Sequence, residues 1–205
     1  NASEQQEFLT IINNNSDLLL QLINDILDFA KIESGTLNYN ISNVDLKDIC
    51  HEVYVSQSLK MTSDVALLFH GELLPSVRLQ TDTQRIEQVL LNLLSNAIKC
   101  TNQGFVSLSY EVEGDFVRVS VTDTGIGIAK DKQDAVFDRF VKLDDFRQGT
   151  GLGLSICRMI VEKLGGEIGL RSELGKGSTF WFTLPLANSA TPAAKEQDNG
   201  VPMEV

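Results

Sequence analysis

Two asparagines set into an apolar helix pattern are the first residues whose types and spacing suggest chemistry. In EQVLLNLLSNAIK, residues 87–99, apolar side chains recur at helical spacing and would cover a core-facing side. Asn92 and Asn96 are four residues apart, so they stack on one face, and Lys99 extends that stripe by another turn. Burying an unpaired amide costs about 1–3 kcal/mol. The two amides therefore need partners, either in the protein or in a ligand.

A glycine-containing turn follows the pattern of a strand in DTGIGI, residues 123–128. Gly125 and Gly127 would let the backbone approach a ligand closely, and Asp123 could accept a hydrogen bond from an exocyclic amine. Alone this motif is weak evidence, because D-x-G after a strand is commonly only a turn.

A second glycine-rich segment, GTGLGLSI at residues 149–156, places Gly149, Gly151 and Gly153 directly before a predicted helix. Free N–H groups at a helix N-terminus bind phosphate, and glycines remove the Cβ atoms that would obstruct it. The segment lacks both the preceding strand of a dinucleotide-binding fingerprint and the GKS or GKT ending of a Walker A loop. Because three glycines and Thr150 coincide, we favour a phosphate site over a plain glycine-rich helix start.

Phenylalanines and cations alternate in FDRFVKL, residues 137–143. Phe137 and Phe140, three apart on a predicted short helix, are more often packing residues than functional ones. Arg139 and Lys142 are either solvated or supply the local positive charge that an acidic protein needs near phosphates.

The pair His51-Glu52 is not part of an HExxH motif, and we expect His51 and His70 to be ordinary surface or half-buried residues.

The bulk composition limits the function classes. A formal net charge of -11 over 205 residues argues against nucleic acid as a partner. Three cysteines without CxxC spacing indicate a reduced, cytosolic chain. We find neither a signal peptide nor an apolar run near the ~20 residues of a membrane span. Because the chain starts at Asn1 rather than Met, we expect it to be part of a longer protein.

The elements that must position these residues follow from periodicity. A broad apolar stripe over residues 4–33 predicts one long helix that needs more than one neighbour, as in a helical bundle. After it, two-residue alternation on both sides of Gly114-Asp115 and around Gly175-Lys176-Gly177 predicts two hairpins. Further elements are predicted as strands near 37–44, 65–71 and 77–81 and as helices over 45–62, 82–99, 131–139 and 150–164. The expected fold is α+β, a two-layer α/β sandwich with a mixed, mostly antiparallel sheet covered by helices on one face and preceded by one long helix.

Five motifs in order, TDTQRIEQVLLNLLSNAIKCT, DTGIGI, FDRF, GTGLGLSI and GKGSTFWFTLPL, together resemble the catalytic, ATP-binding domain of sensor histidine kinases, which has the GHKL or Bergerat fold. The resemblance covers about residues 37–186. LLLQLINDILDFAKIESG, before it, resembles the second helix of that family's dimerisation and phosphotransfer hairpin. We therefore expect a hairpin helix at 1–35, a catalytic domain at 36–187 and a disordered tail or linker at 188–205.

The resemblance implies a role for each matching position, with ATP and Mg²⁺ as cofactors. Asn96 resembles the residue that ligates Mg²⁺, with Asn92 and Lys99 beside the phosphates, and an amide oxygen is a suitable Mg²⁺ ligand. Asp123 resembles the carboxylate that recognises adenine, and residues 129–149 resemble a mobile ATP lid with Arg139 as a candidate phosphate contact. The remaining implied nucleotide-binding residues are Gly125, Gly127, Ile128, Phe137, Phe140, Gly149, Thr150, Gly151, Leu152, Gly153, Leu154 and Thr179, the last closing the adenine site from below.

The acceptor histidine of the family lies in a motif such as HELRTPL or HEIRTPL on the first hairpin helix, and nothing in this chain matches it. We expect the acceptor to lie outside this chain, so that the chain binds Mg·ATP but does not phosphorylate itself. The implied partners are the receiver domain of a response regulator and a second copy that pairs through the helical hairpin. The implied location is the cytoplasm, with the full-length protein open to membrane anchoring.

Different functions are compatible with the same fold. Gyrase-type ATPases, mismatch-repair ATPases and a class of heat-shock chaperones carry a catalytic glutamate four residues before the metal-binding asparagine. Here that position is Asn92, which cannot act as a base, and Gln88 cannot replace it. An anti-sigma-type serine kinase would lack a helix like 4–33. A nucleotide-binding or dimerising module without activity is the remaining function to be tested.

Overall fold

The computed structural model describes residues 2–59, 61, 64–141 and 151–187. It begins with one long helix, α1 (Ala2–Glu33), as the apolar stripe predicts. The helix ends where Ser34 Oγ donates to Ala30 O, at 2.7 Å, and Gly35 adopts a φ of +68°. A left-handed glycine after the last turn is the usual way to stop a helix.

The main sheet has five strands in the order β2-β4-β5-β7-β6. The pair β2–β4 is parallel and the other three pairs are antiparallel, so the predicted mixed, mostly antiparallel sheet is confirmed. Strands β1 and β3 form a separate antiparallel pair. The strands are β1 (Ser42–Asp45), β2 (Val65–Leu68), β3 (Arg78–Thr81), β4 (Gly104–Glu113), β5 (Phe116–Asp123), β6 (Ile168–Glu173) and β7 (Gly177–Pro185).

Three helices, α2 (Leu46–Ser58), α3 (Thr83–Cys100) and α4 (Gly153–Lys163), form the second layer of the sandwich. Asp82 caps α3, since its Oδ1 accepts from Arg85 N at 3.1 Å. The apolar stripe of α3 supplies much of the core, and burying each such side chain contributes about 1.5–3 kcal/mol. Fully buried side chains include Leu90, Leu93, Leu94, Ile160 and Phe182.

The last two turns of α1 are attached to the helical layer of the sandwich. Phe29 packs against the core. Asp28 Oδ2 accepts from Arg85 Nη1 at 3.2 Å and from Gln88 Nε2 at 2.8 Å. Earlier in α1 many large apolar residues are exposed, Phe8 and Leu20 among them. The helix therefore has one attached end and one long unburied apolar stripe.

The segment after β5 departs from the prediction. Residues 130–132 form a single 3₁₀ turn, and the described chain from there to Val141 has turns and bends, so the short helix predicted near 131–139 is reduced to this one turn. The charged run KDKQD has no apolar stripe to bury, and just beyond the predicted helix Phe140 has a φ of +61°, so no helix continues through it. The predicted tail at 188–205 lies outside the described residues.

None of the described helices contains a stretch that is long and apolar enough to cross a membrane.

Candidate functional site

The asparagine stripe of α3 lies at the edge of the core. Asn92 and Asn96 are both half-buried, whereas Lys99 is exposed at the last turn. Asn96 Nδ2 donates to Asn92 Oδ1 at 3.0 Å. The two amides therefore partner each other, and this bond leaves the carbonyl oxygen of Asn96 as a potential ligand atom.

The start of α4 lies directly against this pair. A Cβ on Gly153 would lie 2.1 Å from Asn92 Nδ2, so any larger residue there would displace the Asn92 side chain. Gly151 has a φ of +72°, and Phe140 N donates to its carbonyl oxygen at 2.9 Å. Leu152 is buried in the core, and Leu154 packs against it. The N–H groups that open α4 are thus placed beside Asn92, where an anion would be stabilised.

A polar cleft of about 400 Å³ reaches Asn92 from the side of α1. Its walls include Asp25 from α1, Gln57 from α2, Ser95 from α3 and Gly153 from α4. Asn92 is therefore reached from the helical side.

Asp123 ends β5 with its carboxylate held by backbone donors. Only 4% of the residue is exposed, and Oδ1 accepts from Gly125 N at 2.9 Å and from Ser178 N at 3.3 Å. Burial raises the pKa of Asp123 above its ordinary value, although the two backbone donors oppose the shift. Because both bonds use Oδ1, Oδ2 is the oxygen left for a ligand amine.

Gly125 and Gly127 bring the chain after Asp123 close to its neighbours. A Cβ on Gly125 would lie 2.2 Å from Cys100 O. A Cβ on Gly127 would lie 2.0 Å from Glu173 O, and φ there is +65°. A side chain at either position would clash with backbone carbonyl groups. The close approach that glycine allows also sets the position of Ile128.

Ile128 is held by a network that sequence reasoning missed. Its N–H donates to Ser172 Oγ at 2.8 Å. Gln133 Nε2 donates to Ile128 O at 2.8 Å and to Ser172 O at 3.0 Å. Ser172 Oγ lies 2.9 Å from Ser178 Oγ. The network ties the chain after β5 to the β6–β7 hairpin.

The described part of the 129–149 segment contacts both the core and α1. Phe137 is half-buried and meets Phe180 edge-on, with 6.3 Å between ring centroids, whereas Phe140 is 70% exposed. Arg139 Nη1 donates to Glu33 Oε1 at 3.1 Å, and its guanidinium lies 4.6 Å from the ring centroid of Phe29. Arg139 is therefore engaged by α1 in this structure. Gly149 and Thr150 lie outside the described residues.

The other reactive side chains of the described residues are not grouped into a metal-binding or catalytic arrangement. Across the described ranges, no three His, Cys, Asp or Glu side chains are grouped to hold a metal ion, so a metal here would depend on amide oxygens and on a ligand's own oxygens. Burial raises the pKa of the Cys50 thiol to about 12, which keeps it protonated. His51 is exposed, as is His70, whose Nδ1 lies 3.7 Å from Glu72 Oε1.

A known family model matches the part of the chain that carries this arrangement. The model of the histidine kinase-, DNA gyrase B-, and HSP90-like ATPases matches residues 81–188, which is more than half of the chain and includes α3, Asp123 and α4. The chain belongs to this family. A second model, the His Kinase A phospho-acceptor domain, matches residues 1–35.

The relatives of this ATPase-family chain are sensor histidine kinases. Autoinducer 2 sensor kinase/phosphatase LuxQ of Vibrio vulnificus strain YJ016 is 33% identical over 217 residues, covering 100% of this chain and 25% of LuxQ. Sensor histidine kinase RcsC of Escherichia coli strain K12 is 37% identical over 193 residues, covering 91% of this chain and 20% of RcsC. The chain thus spans about a quarter or less of the curated relatives it matches.

Solved histidine kinases share the fold. Full-length ShkA in complex with AMPPNP matches with a TM-score of 0.75 and 34% identity, covering 93% of this chain and 40% of ShkA. Histidine kinase ThkA in complex with response regulator protein TrrA matches with a TM-score of 0.67 and 29% identity, covering 88% of this chain and 51% of that one. The resemblance to histidine kinases and the expected fold class are confirmed.

The structure places Thr179 away from Asp123. Thr179 pairs with Thr122, and their hydroxyl oxygens are 3.0 Å apart. Neighbouring residues of a strand point to opposite faces, so Thr179 lies on the other face of the sheet from Asp123. Ser178 pairs with Asp123 and donates its N–H to the carboxylate. The expectation that Thr179 closes the site is therefore wrong, and Ser178 occupies the position beside Asp123.

The remaining predicted residues form two groups within the ATPase-family fold. Asn92, Asn96 and Gly153 are joined by contacts at the start of α4. Asp123 and Gly125 are joined at the end of β5, with Gly127 and Ile128 continuing the chain from them. The first group is suited to phosphate and metal and the second to a nucleobase.

Proposed function

We propose that this chain is the catalytic core of a two-component sensor histidine kinase, which binds Mg·ATP and transfers the γ-phosphoryl group to a histidine outside the chain. The observation that carries the proposal is the contact of the Asn92–Asn96 pair with Gly153. It places two amides and the N–H groups of a helix start together, next to a cleft open towards α1. Phosphoryl transfer depends mainly on such positioning and on charge neutralisation.

The residues fit a nucleotide at both ends. Asp123 Oδ2 would accept from an exocyclic amine, while the backbone at Gly125 and Gly127 would border the base. Asn96 Oδ1 would ligate Mg²⁺, and the N–H groups that open α4 would contact phosphate. When bound, ATP supplies the phosphoryl group, and Mg²⁺ neutralises the charge on its oxygens.

Transfer to histidine is favoured over hydrolysis by the residue at position 92. Asn92 Oδ1 accepts from Asn96 Nδ2, and an amide has no basic oxygen with which to activate water. A gyrase-type ATPase reaction would lack its catalyst at this position.

The proposal extends to the acceptor histidine and to the protein partners. The phospho-acceptor model matches residues 1–35, and neither His51 nor His70 lies in that range, so the acceptor is a histidine of another polypeptide segment. The exposed apolar stripe of α1 is suited to pairing with a second copy. The complex of ThkA with TrrA supports the receiver domain of a response regulator as the downstream partner. We place the kinase core in the cytoplasm.

The test combines the chain with a separately made acceptor-helix fragment, radiolabelled ATP and Mg²⁺. We expect acid-labile label on the fragment and none on His51 or His70. Asn96→Ala should reduce Mg²⁺-dependent ATP binding by at least about tenfold, because it removes the ligand oxygen. Asn102→Ala is the matched control, since Asn102 is an exposed asparagine just beyond α3.

Each competing function predicts a different result in this experiment. Release of inorganic phosphate at the rate of ATP consumption would indicate a water-directed ATPase. Label that is stable to acid would indicate a serine kinase. ATP binding that Asn96→Ala leaves unchanged, with no transfer to the fragment, would indicate a binding module and would refute the proposal.

A further inference from the structure

Ser172 on β6 lies at the centre of the hydroxyl network beside Asp123. Its Oγ accepts from Ile128 N at 2.8 Å and donates to Gly177 O at 3.0 Å. The same oxygen lies 2.9 Å from Ser178 Oγ. Of these three contacts, the Ser172–Ser178 contact is the one in which either oxygen could be the donor.

The directions follow from the number of hydrogens. A serine hydroxyl has one hydrogen and two lone pairs, and a carbonyl oxygen only accepts. The arrangement that makes all three contacts hydrogen bonds sends the hydrogen of Ser172 to Gly177 O and uses one lone pair of Ser172 for the N–H of Ile128. The second lone pair accepts the hydrogen of Ser178. With its hydrogen used in this way, Ser178 Oγ can act only as an acceptor towards any further partner.

Ser178 adjoins the carboxylate that faces the nucleobase in the proposed function. Its N–H donates to Asp123 Oδ1 at 3.3 Å, and only 7% of the residue is exposed. Asp123 and Ser178 thus form an edge that presents acceptors alone. Such an edge matches the hydrogens of an exocyclic amine and is mismatched with an exocyclic carbonyl oxygen at the same position, and one unmatched buried polar group weakens binding roughly tenfold.

We propose that Ser172 is a positioning residue for nucleobase selection. By accepting the hydrogen of Ser178 it keeps the Asp123–Ser178 edge acceptor-only, which selects a purine with an amine at C6 over a purine with a carbonyl there. The inference rests on the proposed nucleotide binding and adds the group that determines the choice of base.

The experiment measures the affinity of the full chain for ATP and for inosine triphosphate, each with Mg²⁺, by calorimetry. Ser172→Ala should reduce the preference for ATP roughly tenfold, because the hydroxyl of Ser178 is then free to donate to a C6 carbonyl. Ser172→Thr keeps the hydroxyl group and should restore the preference. Thr179→Ala is the matched control, since it removes one hydroxyl of the Thr122–Thr179 pair from the opposite face and should leave the preference unchanged.

A double-mutant cycle separates selection from folding. In a Ser178→Ala background, Ser172→Ala should not change the ratio of the two affinities further, because the relayed hydroxyl is already absent. A Ser172→Ala chain that loses affinity for both nucleotides by the same factor would show a purely structural role and overturn the proposal. A wild-type chain that binds neither nucleotide would refute the proposed function itself, and this inference with it.

Discussion

Replacing Gly127 with alanine tests whether the chain after Asp123 is held by a close backbone approach. The new Cβ would lie 2.0 Å from Glu173 O and 2.7 Å from the carbonyl carbon of that residue. Normal contact is about 3.5 Å, so a backbone shift of about 1.5 Å is needed on one side. Both neighbours are main chain, so a side-chain rotation cannot relieve the clash.

The expected loss in the free energy of unfolding has two parts. A left-handed φ costs a non-glycine residue about 1 kcal/mol, and overpacking of this kind costs about 1–3 kcal/mol more. Gly114 isolates the first part, because its φ is +60° and a Cβ there meets nothing within 4 Å. We therefore expect Gly114→Ala to lower the free energy of unfolding by about 1 kcal/mol and Gly127→Ala to lower it by about 2–4 kcal/mol.

Urea unfolding of the two variants measures this difference. With a slope of about 1–3 kcal/mol per molar urea, the midpoint of Gly127→Ala should lie about 1 M below that of Gly114→Ala. Gly127→Ala should also weaken ATP binding, since Ile128 would move away from Ser172, whereas Gly114→Ala should not. Equal losses of stability, within about 0.5 kcal/mol, would refute the close-approach argument.

The remaining predictions concern the buried carboxylate, the attachment of α1 and the core. Asp123→Asn should weaken ATP binding about 10- to 100-fold in calorimetry, because it loses a charge-assisted hydrogen bond, yet it should not lower the urea midpoint at pH 7. Burial raises the pKa of Asp123, so the free energy of unfolding should fall as the pH rises through that pKa. The affinity for ATP should instead fall as the pH drops through the same pKa. The asparagine variant should show neither dependence. Arg85→Ala removes two half-buried hydrogen bonds and should cost about 1–2 kcal/mol in urea unfolding, whereas Arg139→Ala removes an exposed ion pair and should cost less than about 1 kcal/mol; the reverse order would contradict the attachment of α1 through Asp28. Leu90→Ala should cost about 2–5 kcal/mol, while Leu59→Ala, at a residue that is 84% exposed, should lie within about 0.5 kcal/mol of the wild type.

The elements with strong local signals could be predicted from the sequence. Helix α3 follows from the Asp82 cap and an apolar stripe that continues to Ile98. The β4–β5 and β6–β7 hairpins follow from alternation around Gly114 and Gly175, both of which have a positive φ. In these segments the local preference and the tertiary packing agree, so a short window of sequence is sufficient.

The choice between Ser178 and Thr179 shows where sequence reasoning failed, although a signal was present. Both residues carry hydroxyl groups, so residue type alone does not decide between them. Phe180, Phe182 and Leu184 are buried and lie at even positions of the strand, as Ser178 does. Applying the period of two from those residues would have placed Ser178 on the inner face and Thr179 on the outer one.

Contacts between segments distant in the chain could not be predicted. Arg139 and Glu33 are 106 residues apart, and Gln133 reaches Ser172 across 39 residues. Neither pair leaves a periodic pattern, because one polar contact imposes no repeat on the sequence around it. The network around Ser172 therefore became visible only from the packed sheet.

The pairing of β5 with β7 has a consequence for how the site assembles. Each hairpin joins strands across a short turn and can form within microseconds, but Asp123 and Ser178 meet across 55 residues, so their strands pair only after a slower search. A slip by one residue in that pairing would bring Thr179 to Asp123 and turn the apolar face of β7 outward. A ligand that requires Ser178 beside Asp123 would bind only chains in the correct register. During refolding, nucleotide at about 100 times its dissociation constant would stabilise that register by about 2.7 kcal/mol.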